Sequence, residues 1–172
     1  GAGTTDEPSL FYSRRIGLDG TRVVPMLAGA RMTGKVGRLA VGAMSVRTGS
    51  DEATSAVDTT FTVLRLRRDV LRRSNLGVMY TNRSASILDP AVGSAAIGLD
   101  ATFGFGQNVT LAGVYARDQG PGRSGGHDTY STRFELDRDR TGVTMAHSSV
   151  GRDFNPEIGF VRRRDIRQTS GS

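Results

Sequence analysis

The side chains able to do chemistry in this sequence are above all arginines. Lys35 is the single lysine among 23 basic residues, so almost all the cationic chemistry on offer is that of the guanidinium group. That group is planar, permanently charged and suited to a bidentate grip on a phosphate or carboxylate. Arg65, Arg67, Arg133, Arg162 and Arg164 fall in segments of alternating pattern and could line a basic lumen or groove. Arg14 and Arg15, near the start of the chain, complete the set of candidate anion or partner contacts. The plainer use of these arginines is pairing with Asp69, Glu135, Asp137, Asp139 and Asp165 across neighbouring strands. Opposite charges on adjacent strands stabilise a sheet, so a cross-strand ladder is the favoured reading and anion binding is secondary to it.

Other chemistries are thinly represented. Asp137 to Gly142 reads Asp-Arg-Asp-Arg-Thr-Gly, the opening of a calcium loop, but the twelfth loop position is Ser148 instead of Glu. The segment reads better as a wet strand running into a hairpin. His127 and His147 are the only histidines; a hydrolase would need His147 to serve a serine such as Ser131 or Ser149. Zero cysteine excludes disulfides, thiolate metal sites and a cysteine nucleophile. Gly120 to Gly126 reads as a loop, since no Lys-Ser/Thr phosphate-loop ending accompanies it. The expectation is therefore a protein that is not an enzyme, with no catalytic, cofactor-binding or metal-binding residue. A net charge of +6 invites nucleic acid as partner, yet the arginines are dispersed and mixed with acids, without interleaved stacking aromatics, and nucleic acid is set aside.

The elements that must carry these residues are strands. From Ala95 to Gly106, Ala95, Ile97, Leu99, Ala101, Phe103 and Phe105 alternate with small or polar residues. From Thr129 onward, Thr129, Ser131, Arg133, Glu135 and Asp137 alternate with Tyr130, Thr132, Phe134, Leu136 and Arg138. A period of two is the signature of a strand with two unlike faces. Turn residues divide the chain into about ten strands, over 9–18, 25–35, 38–48, 59–70, 74–85, 95–106, 108–118, 128–139, 142–151 and 158–168. The connections alternate between tight turns and longer Gly/Ser/Asp-rich loops. That alternation, with strands near the ~9–11 residues that cross a bilayer, describes the wall of an outer-membrane barrel. The expected fold is all-β: an antiparallel up-and-down meander forming an outer-membrane-type β-barrel, or a curved partial barrel or sandwich derived from it. Residues 1–8 and 169–172 read as flexible ends around a single domain over 9–168. The opening Gly-Ala-Gly-Thr-Thr-Asp carries no signal peptide and fits a mature chain, an excised segment or a cytoplasmic protein.

Three strings carry a family resemblance: Phe11-Tyr12-Ser13-Arg14-Arg15-Ile16-Gly17, the run Leu27 to Lys35, and Gly151-Arg152-Asp153-Phe154-Asn155-Pro156-Glu157-Ile158-Gly159-Phe160. Together, over roughly Ser9 to Gln168, the chain resembles the uncharacterised bacterial outer-membrane β-barrel domain found C-terminal to a family 9-like carbohydrate-binding module. The resemblance implies about the first half of a larger barrel and an association with envelope carbohydrate. It assigns no activity. The sequence as given holds neither the soluble module nor an aromatic closing strand, and 7 Phe, 4 Tyr and no Trp are few for aromatic girdles.

The functional expectation is a non-enzymatic outer-membrane barrel, or barrel segment, with a structural or passive transport role in the bacterial envelope. Its partners would be lipid or lipopolysaccharide on the apolar strand face, with a saccharide implied by the resemblance alone. The alternative is a soluble antiparallel sheet, periplasmic, that serves as an accessory subunit and meets a protein partner at its exposed edges. An open sheet would place such edges at Phe11–Leu18 and Phe160–Gln168.

Overall fold

The computed structural model describes residues 10–13, 16–19, 22–50, 57–122, 126–138, 141–159, 161 and 165–172. Every regular element among them is a strand. Two short strands, β1 (Leu18–Asp19) and β2 (Arg22–Val23), pair only with each other. The remaining nine form one antiparallel sheet in chain order: β3 (Met26–Val36), β4 (Leu39–Thr48), β5 (Thr59–Leu71), β6 (Ser74–Arg83), β7 (Ser94–Phe105), β8 (Val109–Gln119), β9 (Asp128–Arg138), β10 (Thr141–Val150) and β11 (Ile166–Gly171). Each strand pairs with its sequence neighbours, so the chain is an up-and-down meander. Among the described residues the ladder is open, with β3 and β11 as edges.

Eight of the expected strands lie within a residue or two of β3 to β10. The outer two do not. Within 9–18 the described residues before Leu18 are not in a strand, and within 158–168 the strand begins only at Ile166. Both spans carry apolar residues that are covered for a different reason. Leu10 lies over Gly98, and Ile158 is buried. An apolar residue packed on a face and one alternating within a ladder look alike in a short sequence window. In place of the edge expected at Phe11–Leu18 the edge is β3, and the edge expected at Phe160–Gln168 overlaps the observed edge strand β11 at Ile166–Gln168.

The tight turns are made where glycine can take a left-handed backbone: Gly37 has φ of 57° and Gly106 of 58°. They do not sit on one rung. The β3–β4 hairpin closes at Val36 and Leu39, on the rung that continues through Arg68 and Leu76 to Ala101. The β7–β8 hairpin closes further along β7, at Phe105 and Val109, with the Leu71–Ser74 turn between them. The β9–β10 hairpin closes beyond both, at Arg138 and Thr141. The long-loop ends, at Thr48–Thr59, Arg83–Ser94, Arg117–Asp128 and Val150–Ile166, step the same way. The stagger is about one residue per strand, or ~3.3 Å along the sheet for each ~4.8 Å across it, which tilts the strands by about 35°. Barrel walls tilt by a like amount.

The two faces differ in kind. On one lie Val41, Leu66, Val78, Leu99, Tyr115 and Tyr130, a continuous rung from β4 to β9. Leu66, Leu99, Tyr115 and Tyr130 are exposed despite being large and apolar. The opposite face carries Arg65, Gly77, Asp100, Ser131 and Ser148, and it is the covered one. Ala116, Val150 and Phe154 form its core, with Leu10, Val161 and Ile166 packed around them. Removing the fully buried Phe154 ring should leave a cavity on this face. We expect Phe154→Ala to destabilise the fold by about 3–5 kcal/mol in chemical denaturation. Phe105→Ala, on the bare face, should change it far less.

Candidate functional site

Along the polar face, small residues on β6 to β8 leave room for charged ones on β5, β7 and β9. Arg65 on β5 reaches over β6 to Asp100 on β7: Nη1 contacts Oδ1, and Nη2 lies 2.8 Å from Oδ2. The pair crosses above Gly77, where an added Cβ would sit 2.6 Å from both Arg65 Nη2 and Asp100 Oδ2. Gly77 is thus the opening through which two strands separated by a third can share an ion pair. With side chains about 30 % exposed on both partners, the pair helps to set position more than it adds stability. It lines a pocket of about 480 Å³ with Thr102, Ser131 and Arg133, roofed by Leu10 and Phe11.

The long-loop end of this face is latched. After β10 the chain turns across the sheet and brings Glu157, whose side chain is 1 % exposed, to the β6–β7 loop. The Ser86 hydroxyl donates to Glu157 Oε1 at 2.6 Å and the Ile87 amide to Oε2 at 2.9 Å. Arg83 lies 4.0 Å from the same carboxylate and stacks over the Phe61 ring at 5.4 Å. Two hydrogen bonds to a charged acceptor satisfy a carboxylate that would otherwise be costly to bury. The Tyr12 amide donates to the Ile158 carbonyl at 2.9 Å, tying the segment around Leu10 to the same cap.

Of the candidate arginines, the structure brings Arg65, Arg67 and Arg133 to the polar face, on β5 and β9. Arg14, Arg15, Arg162 and Arg164 lie outside the described residues, as does Asp139. The charge ladder forms with different partners from those expected. Arg65 takes Asp100, Asp69 takes Lys35 at 3.2 Å, and Asp165 takes Arg152 at 3.5 Å. A carboxylate of the chain itself thus fills the bidentate position on Arg65. Glu157 and Asp100 were the residues that sequence reasoning missed. Their signal, a lone acid opposite glycine or before a buried isoleucine, becomes visible only once the register is known.

His147 does not face Ser131. Its Nδ1 is 2.8 Å from Thr169 Oγ1 and its Nε2 is 3.5 Å from the Tyr130 hydroxyl, on the apolar side, whereas Ser131 points to the polar side. The alternation of β9 and β10 forbids the pairing, because residues on opposite faces cannot meet across a ladder. Asp137 and Arg138 end β9 as a wet strand.

The apolar face is the second surface of interest. Allowing for the stagger, Tyr80, Tyr115 and Tyr130 lie nearly level with one another on its long-loop side. Phe103 and Phe105, stacked with centroids 6.5 Å apart, lie on the short-turn side. Between the two levels the band is about 20–25 Å tall along the tilted strands. Comparison with known protein families, curated proteins and solved structures finds no match to this chain.

Three substitutions test the polar face. Gly77→Val should force Arg65 and Asp100 apart and cost about 1–3 kcal/mol. In that background Asp100→Ala should add little, a coupling that a double-mutant cycle measures. Glu157→Ala removes the latch and should cost about 2–4 kcal/mol, with amide exchange at Ile87 accelerated well before global unfolding.

Proposed function

We propose that the chain is a non-enzymatic wall of a bacterial outer-membrane β-barrel, with a structural or passive transport role in the envelope. One observation carries this reading: a single-layer, tilted meander leaves its large apolar side chains bare and keeps the charges of that face, such as Arg68, Arg117 and Arg138, to its margins. Soluble proteins rarely expose a continuous apolar patch beyond a few hundred Å², and a membrane wall must do so. The tyrosine level and the phenylalanines at the opposite margin agree with it. So does the alternation of tight turns with long loops. The open edges at β3 and β11 would be closed by further strands. An association with envelope carbohydrate rests on the resemblance of the quoted strings alone.

A second reading makes the sheet a soluble, periplasmic accessory subunit. The observation in its favour is β3, exposed over its whole length, with Lys35 and Arg31 on it to discourage self-pairing while leaving its backbone free for a partner strand.

Detergent dependence separates the two. Purified without detergent, the chain is expected to aggregate; with detergent or phospholipid it should give a β-rich circular dichroism spectrum and a gel mobility that changes on boiling. A compact, monodisperse species in detergent-free buffer by light scattering would overturn the wall reading in favour of the accessory subunit.

A further inference from the structure

We propose that the short-turn margin of the apolar face binds an anionic phospholipid, its phosphate held by Arg68 and neighbouring arginines and an acyl chain lying in the groove beside them. The inference rests on the membrane-wall reading and adds to it the lipid class and its place on the wall.

Charge on the apolar face is not evenly compensated. At the long-loop margin Arg47 pairs with Asp58 at 3.1 Å, and Arg117, though it forms no ion pair among the described residues, has an acid, Asp128, opposite it in the ladder. At the short-turn margin stand Arg68 and Arg138 on this face, with Arg38 and Arg72 in the turns beside it. Among the described residues these four have no ion pair, and the nearby Asp69 is engaged by Lys35 on the polar face. All four are exposed. Guanidinium groups at the edge of an apolar surface offer a phosphate both charge and paired donors.

A place for the chain of the lipid adjoins them. Arg68 sits on the rung between Leu39 and Leu76, which continues to Ala101 and Gly113. That rung borders a groove of about 670 Å³ on the apolar face, walled by Leu39, Leu66, Leu76, Leu99 and Tyr115 with Gly113 at its floor. Gly113 and Ala101 supply the depth, because larger residues there would fill it. Arg68 itself lines the groove, so the headgroup contact and the groove are contiguous, a match of charge and apolar shape that fits a phospholipid and not a free phosphate.

The test uses the full chain inserted into nanodiscs of phosphatidylcholine containing a minority of phosphatidylglycerol. After mild detergent release, native mass spectrometry counts the lipids that stay bound, and heat-modifiable mobility reports insertion. Phosphatidylglycerol is expected to be retained above its share by about fivefold or more, the effect of one arginine at a lipid surface. Arg68→Gln should bring it back close to its share, with Arg68→Lys between. Arg117→Gln removes the same charge from the same face, four residues or ~14 Å along β8 from the Arg68 rung, and should leave the enrichment intact. An inserted protein that retains both lipids in proportion would overturn the inference while sustaining the wall reading. Enrichment lost equally in Arg68→Gln and Arg117→Gln would also overturn it, as a net-charge effect without a site. A chain that inserts into neither lipid overturns the wall reading and this inference together.

Discussion

A single antiparallel layer has no interior of its own, and every residue in it must belong to one of two media. That constraint shapes the whole molecule. The side chains on β4 to β9 are sorted by alternation into a face rich in Leu, Val, Phe and Tyr with charges at its margins, and a face of mostly small, polar and charged residues that also holds Phe61 and Val63. In most small domains the apolar face is the one that gets covered, since burial of apolar surface is the main driving force of folding. Here the covering segments lie on the other side. Phe154, Leu10 and Ile166 pack on the polar face, near its long-loop end, while Leu66, Leu99 and Phe105 stay bare. Such an arrangement is the one that the proposed membrane wall would require.

The polar face solves the complementary problem. Charges on strands cannot all find a partner next door, and Arg65 does not: it crosses β6 to reach Asp100. The crossing depends on Gly77, a residue that weakens a strand in general and here supplies the clearance for a guanidinium–carboxylate contact. Glu157 solves the same problem at the end of the sheet, by taking its donors from a hydroxyl and a main-chain amide. Because that latch draws on residues far apart in the chain, it fixes the segment after β10 relative to the β6–β7 loop, and the roof over the Arg65–Asp100 pocket with it.

The regular stagger ties both faces to one geometry. A shift of about one residue per strand makes level lines run obliquely across the rungs, which is why Tyr80, Tyr115 and Tyr130 share a level although Tyr80 is not on the rung of the other two. It also carries Arg68 down to the short-turn margin although its rung passes through the middle of β7. Arginine content that looks dispersed along the sequence is thereby sorted in space: beside acids at one margin of the apolar face, and without an acid on that face, among the described residues, at the other.

How much of this was legible beforehand follows from the range of the forces involved. Alternation and turn chemistry are local, so the sequence by itself determined the all-β meander, the bounds of β3 to β10 to within a residue or two, and the unlike character of the two faces at Ile97, Leu99 and Phe105. It could not distinguish Leu10 and Ile158, which are covered outside the ladder, from residues within one, because both are simply apolar in a short window. Nor could it choose partners for Arg65, place His147 across the sheet from Ser131, or bring Glu157 to Ser86. Those depend on register and on loops returning across the sheet, where residues far apart in sequence meet at hydrogen-bonding distance. Only the tertiary structure decided that the layer is open among the described residues, that the covering segments lie on its polar side, and that its large apolar side chains stay exposed.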